Sequence, residues 1–396
     1  MKVALVYDRV NKIGGAERVL TALHELWPEA PLFTSVYDPT NAPWAKSFDV
    51  KTTFLQNIPF AKNHHEWFAW LTPFAFNTLS FDGYDVVISV TSAEAKGLIT
   101  KPETLHICYC LTPTRYLWSA KDTYKKNTGF GVFHALVQHA FSLWLPTLQG
   151  WDHIASQRPD RYIAISKHVQ RRIEDYYQRE VDAVIYPPVD TDFFKPLQNS
   201  EPERTHHSRN WGFFKSGNED PCVRSGGYYL LVSRLVPYKR ADIVVRACSN
   251  LKKRLVVIGD GNGKQELQRM AGPTVAFVHG NLTDQALLGY YQKCRAFLFA
   301  GQEDFGIAAA EAQSCGKPVI AYKRSGILEI IREGITGLTF QKQSVDSLEE
   351  AIRQFENRTF SGEVCRKNAL RFNKQTFLEK INAFVSQTYQ RHLITL

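Results

Sequence analysis

No apolar run in the 396 residues reaches the roughly 18 to 20 needed to span a bilayer. The first ten residues, MKVALVYDRV, form a short apolar segment broken by charge, which is not a secretory signal pattern. Among the seven cysteines there are no pairs of metal-type pairs. The one close spacing is CYC at Cys108–Cys110, and in a strand both thiols share a face, so buried reduced thiols are expected. No basic run is interleaved with stacking aromatics in the manner of single-strand binders, and no nucleic-acid module is recognisable. Internal repeats are missing too. The expected protein is cytoplasmic, with contact at the inner face of the cytoplasmic membrane allowed, and no nucleic acid is expected among its partners.

What is present describes a folded chain. An apolar fraction of 44% with 13% aromatics excludes disorder. The net charge of +9 is unevenly spread. Through Lys195 there are 20 basic and 20 acidic residues; of the totals of 48 and 39, the remaining 28 and 19 carry the whole excess. A basic second half suits a polyanion, and the phosphate of a small ligand is the simplest one.

Short apolar runs alternate with helical patterns. KVALVY, PLFTSV, YDVVISV, HICYCL, RYIAIS and AVIYPP form one series. YYLLVSRL, RLVVIGDG, VAFVHG, AFLFAG and PVIAY form a second. Near-continuous apolar strands between amphipathic helices are the mark of buried parallel strands, so the fold class is α/β with two doubly wound parallel-sheet domains. The expected organisation is a first domain over 1–195, a Ser-, Asn-, Gly- and Pro-rich linker over 196–226, a second domain over 227–375, and an amphipathic helix over 376–396. Packing of that last helix back on the first domain is one outcome the pattern allows.

Chemistry concentrates where strands hand over to helices. Gly14-Gly15 follows the first strand and opens a helix, but it is neither GxGxxG nor a P-loop. Arg234 and Lys239 lie just past the first strand of the second series, at the sheet edge where open α/β folds take ligands. An arginine fork and a lysine charge five positions apart match a diphosphate. VVIGDGNGKQEL reads as a structural turn at the same edge. In EDFGIAAAE, Glu303 falls on the loop after AFLFA, Phe305-Gly306 makes the turn, and Glu311 enters the following helix. Carboxylates accept from sugar hydroxyls and helix N–H groups bind phosphate oxygens, a combination suited to a nucleotide sugar.

These segments, in order, carry a resemblance. GGAERVL, IAISKHVQRRIEDYY, VIYPPVDTDFF, SRLVPYK, VIGDGNG, HGNLTDQALLGYYQKCRAFLFAGQEDFGIAAAEAQSCGKPVIA and GITGLTF resemble the retaining glycosyltransferases called group 1 or family 4. The likeness covers most of the chain apart from the linker. It implies the GT-B arrangement, two Rossmann-like domains facing across a cleft, with a nucleoside-diphosphate sugar as donor and no metal or other cofactor. By position it assigns Arg234 and Lys239 to the donor diphosphate, Glu303 to the donor sugar and Glu311 to the ribose. Phe305, Gly306, Ile307 and Ala308 would approach sugar and phosphates through their backbone, Gly14 and Gly15 would close over the diphosphate, and His279, Gly280 and Asn281 would lie by the base. Glu303, Lys239 and Arg234 are the expected catalytic groups.

One position departs from the family pattern. Many relatives end the strand matching HICYCL with a histidine aimed at the reacting sugar, and Leu111 stands there. His106 begins the strand, about 16 Å away. Glu94 in VTSAEAKG is a candidate for the cleft, but a solvated helix residue is the expected reading. The TPTRYLW style of segment resembles polysaccharide-building enzymes, so the expected reaction is transfer of a hexose, mannose from GDP-mannose, to a glycan or lipid-linked acceptor, with retention. The aromatic-rich stretches NHHEWFAWLTPFAFNTLSF and YLWSAKDTYKKNTGFGVFHALVQHAFSLWLPTLQGWDH are expected either to pack as helices or to touch a membrane peripherally. A nucleotide-sugar epimerase and a non-catalytic binding relative are the alternatives.

Overall fold

The computed structural model describes every residue except 13, 63–67, 69, 120, 122–133 and 198–226, and leaves the side chains of 134–137 and 140 undescribed. The chain divides into two compact units, Met1–Pro188 with Lys374–Leu396, and Val189–Asn373.

In the first unit seven parallel strands lie in one sheet. They are β1 (Val3–Tyr7), β2 (Leu32–Thr34), β3 (Val50–Thr52), β4 (Val86–Thr91), β5 (Leu105–Cys110), β6 (Arg161–Ala164) and β7 (Ala183–Val184), in the order β3-β2-β1-β4-β5-β6-β7. All residues of β1, β4 and β5 are buried, which is why they read as continuous apolar runs rather than alternating ones. β3 went unanticipated because it is a three-residue edge strand, VKT, with no buried residue to give it an apolar signature. Around the sheet are α1 (Gly15–Leu26), α2 (Thr72–Asn77), α3 (His134–Ser156) and α4 (Lys167–Tyr177).

The second unit holds six parallel strands: β8 (Tyr229–Val232), β9 (Leu255–Ile258), β10 (Val275–Val278), β11 (Ala296–Phe299), β12 (Val319–Tyr322) and β13 (Gly337–Phe340). Their order is β10-β9-β8-β11-β12-β13, which reverses direction between β8 and β11. That reversal opens a crevice at the carboxyl ends of these two strands. The helices are α5 (Ala241–Asn250), α6 (Lys264–Met270), α7 (Asp284–Lys293), α8 (Ile307–Ser314), α9 (Val345–Glu356) and α10 (Gly362–Ala369).

Two boundaries differ from the expected ones. Residues 189–195 belong with the second unit, not the first. Val189 N–H donates to Phe372 O at 2.9 Å. Arg366 Nη1 donates to the carbonyls of Thr191 and Phe194, and Phe194 is fully buried against Tyr291. These contacts lie 172 and 175 positions away in sequence, beyond the reach of a local pattern. The last helix, α11 (Lys374–Thr395), is counted with the first unit: it buries Phe377, Ile381 and Val385 at four-residue spacing and sets Phe377 against Tyr109 of β5. The linker over 198–226 lies outside the described residues. The six described cysteines are all free and buried.

Candidate functional site

Three segments converge where the second sheet reverses. β8 runs into the short 3₁₀ turn Pro237–Lys239. β11 runs into the loop 300–306, and α8 starts at once behind it. Gly301 makes the first approach possible: a Cβ there would stand 2.5 Å from the carbonyl oxygen of Lys239. With the two backbones this close, the Lys239 ammonium, 6% exposed as a residue, donates to Oε1 of Glu303. The same ammonium lies 5.6 Å from the ring centre of Phe299 and 5.5 Å from that of Tyr238. Arg234 is exposed, with Nη2 donating to the Tyr238 hydroxyl at 2.9 Å.

The loop carrying Glu303 is fastened from its other side. Its N–H donates to Ser325 Oγ at 2.9 Å, and its carbonyl accepts from Gly326 N–H at 2.7 Å. A Cβ on Gly326 would meet the Asp304 carbonyl oxygen at 2.1 Å, so no other residue fits. Gly306 caps α8 with φ of 101°, a conformation that side-chain-bearing residues rarely adopt. Phe305 is buried against Phe372, with ring centres 5.1 Å apart, so only its backbone is available to a ligand. The first N–H groups of α8, at Ile307 and Ala308, have no intrahelical partner and follow Glu303 by four and five positions in the chain.

Glu311 lies in the first turns of α8, as its place in the sequence implies. It is buried at 3% exposure, and its Oε2 accepts from the Tyr291 hydroxyl of α7 at 2.9 Å. His279, Gly280 and Asn281 are exposed on the turn after β10. Gly280 N–H donates to Asp260 Oδ2 at 2.6 Å, which ties this turn to the one after β9. The Lys264 ammonium, bonded to Asp260 at 2.6 Å, holds that carboxyl below the usual carboxylate range. Gly259 and Gly261 lie against the Ser233–Leu235 backbone, the reading of VIGDGNG as a structural turn. Thus Arg234, Lys239, Glu303 and the start of α8 share one edge of one unit. A recess of about 620 Å³ elsewhere in this unit, lined by Leu197, Cys315, Lys317 and Arg366 among others, contains none of them.

Gly14 and Gly15 belong to the first unit, at the junction of β1 and α1. Gly14 has extended backbone and Gly15 is the first helical residue. Glu94 corrects an expectation. It is not solvated but 1% exposed, bonded to Arg9 and Tyr116. Burial raises its carboxyl above the usual range against the opposing pull of Arg9. His106 is wholly buried, bonded to Ser89 Oγ at 2.8 Å, and its pKa falls to about 3 through desolvation. Residues that sequence reasoning passed over are Gly301, Ser325, Gly326 and Tyr291. GQED and SGILE carried the only local signal, a glycine at a strand end and another after a serine.

Residues 225–372 match the family model for Glycosyl transferases group 1. Over 246 residues the chain is 25% identical to an uncharacterized glycosyltransferase of Methanocaldococcus jannaschii, covering 60% of this chain and 61% of that one. It is 28% identical over 207 residues to the GDP-mannose-dependent alpha-(1-6)-phosphatidylinositol monomannoside mannosyltransferase of Mycolicibacterium smegmatis, covering 48% and 50%. The matched part therefore spans about half to three-fifths of these relatives. In fold, the chain superposes on Anabaena HepE in complex with UDP and glucose with a TM-score of 0.67, covering 98% of this chain and 99% of that one at 16% identity. The two-domain α/β fold is that of the GT-B glycosyltransferases, and the likeness to the group 1 glycosyltransferases lies in residues 225–372.

Proposed function

We propose that the protein transfers a hexose from a nucleoside-diphosphate sugar to a glycan or lipid-linked acceptor, with retention at the anomeric carbon and without a metal. The observation that carries this reading is the Lys239–Glu303 pair, with Glu303 on the loop that leads into α8. As the bond between the sugar and the diphosphate breaks, negative charge grows on the leaving phosphate. Lys239, Arg234 and the α8 N–H groups are preorganised donors for that charge, and Glu303 accepts from sugar hydroxyls. The mannosyl donor rests on the M. smegmatis relative, whose name specifies GDP-mannose.

Peripheral membrane contact is part of the proposal. Trp70 and Phe74, at and on α2, and Leu143, Trp144 and Ile154 on α3 are each more than half exposed. Both helices pack against the same turn, Glu94–Gly97. Exposed tryptophan and aliphatic side chains on neighbouring helices suit a headgroup boundary.

The deciding experiment is a panel of nucleotide sugars, GDP-mannose and UDP-glucose included, incubated with and without lipid-linked acceptors while nucleotide release is followed. Release from GDP-mannose alone among them supports the reading in full, and addition of a chelator is expected to leave the rate unchanged. Conversion of a donor to an isomer without acceptor would make the protein an epimerase. No release from any donor would leave a binding protein.

A further inference from the structure

The carboxyl edge of the first unit's sheet holds a second polar cluster. Tyr7, the last residue of β1, pairs with Val90, and Val90 pairs with Tyr109. Arg9, the turn 92–97 and the segment from Leu111 therefore leave neighbouring strands at one level. Open parallel sheets take ligands at this edge.

Glu94 is the anchor of the cluster. Its Oε2 accepts from Arg9 Nη2 at 3.2 Å and its Oε1 from the Tyr116 hydroxyl at 2.6 Å. The carboxylate side chain is 1% exposed and the arginine side chain 21%, so the fixed member is inside and the reachable member is the cation. Among the described residues that bond to Glu94 is the guanidinium's one hydrogen bond, which leaves Nε and Nη1 as donors. The adjacent Asp8 carboxylate is already engaged by Thr91 Oγ1, Ser92 N–H and Ala95 N–H at 2.7, 2.8 and 3.0 Å.

Two further features suggest a ligand. Thr112, on the segment from Leu111, is 4% exposed, yet its Oγ1 has no hydrogen-bond partner, a costly state for a buried hydroxyl. The segment carrying it is rigidly held: Asp152 accepts from Thr114 Oγ1 and from Trp118 Nε1, both at 2.8 Å, and Lys96 donates to Thr114 Oγ1 at 3.0 Å. Leu111 contributes no charge here; Lys96 of the turn is buried against Asp152 at 2.5 Å, whereas the Arg9 side chain is 21% exposed.

A guanidinium with free donors, backed by a buried carboxylate, matches an oxyanion with several acceptor lone pairs. We infer that this edge is a phosphate-binding site centred on Arg9, with Glu94 as the residue that positions it. The phosphate has two sources under the function proposed above, on which this assignment of source rests: the phosphate of a lipid-linked acceptor, or the diphosphate of the donor.

Calorimetric titration of the full chain separates them. Inorganic phosphate is titrated with GDP already saturating, and GDP is titrated alone. Arg9→Gln together with Glu94→Gln removes both charges and strands no buried carboxylate. This double variant is expected to weaken one of the two ligands tenfold or more, Glu94→Gln alone to weaken the same ligand severalfold, and Arg9→Lys to keep part of the affinity. Loss confined to inorganic phosphate assigns the site to the acceptor, and loss confined to GDP assigns it to the donor. Wild-type affinity for both, in a double variant with an unchanged melting transition, overturns the proposal. Should that variant not fold, Tyr116→Phe changes no charge: severalfold weakening supports the site and unchanged binding overturns it. If the wild type binds neither GDP nor UDP but loses phosphate with Arg9, the donor reading fails while this site stands.

Discussion

The Lys239 ammonium donates to the Glu303 carboxylate across 64 positions of sequence, joining the turns that follow β8 and β11. The two strands are neighbours in the sheet, so the pair forms at its point of reversal. Neither charge is fully exposed, the lysine side chain at 7% and the glutamate at 22%.

Removing the lysine tests the site most directly. In Lys239→Ala the leaving phosphate loses its nearest preorganised cation, and turnover is expected to fall by about 10²–10³ with a smaller change in donor affinity. Steady-state kinetics with the active donor reads both. Turnover equal to wild type would remove Lys239 from the mechanism.

Backbone approach sets the same geometry. Gly301→Ala places a methyl 2.5 Å from the Lys239 carbonyl oxygen, so the turn must shift. A loss of about 1–3 kcal/mol in stability with a larger loss of activity is expected. Gly289, inside α7, has nothing within 4 Å of such a methyl. There the same substitution should stabilise by about 0.5–1 kcal/mol. Urea titration of both variants distinguishes close approach from a general dislike of alanine.

Lys96 and Asp152 form an ion pair at 2.5 Å, both almost wholly buried. Lys96→Met leaves the carboxylate uncompensated and should cost about 3–5 kcal/mol. Combining it with Asp152→Leu should recover part of that loss, since a buried pair is close to break-even against apolar residues. A single-variant cost under about 1 kcal/mol, read by chemical unfolding, would contradict this account.

His106 predicts a pH dependence. Its folded pKa of about 3 lies below the ordinary 6.5, because burial disfavours the charged ring. Between those values the unfolded chain binds more protons, so the contribution to stability is complete above pH 6.5 and is lost as pH falls toward 3. Cooling the comparison to one number, wild type should lose about 2 kcal/mol more than His106→Gln between pH 7 and pH 4.5. Parallel slopes for the two proteins over that range would place the titration elsewhere.

The strands, their order of appearance and the glycine-rich hand-overs were legible because buried parallel strands leave continuous apolar runs and turns leave local residue choices. Two α/β series, the loop position of Glu303, the turn position of Lys239 and the helix that begins after Gly306 all follow from such local signals. What those residues touch came from the packing of distant segments. Glu311 meets Tyr291 from another helix, and Glu94 is drawn inside by Arg9 from 85 positions away. The segment after Pro188 joins the second unit through Arg366, and α11 returns to the first. Such pairings depend on which strands become neighbours, and a period of two or 3.6 residues carries no record of that.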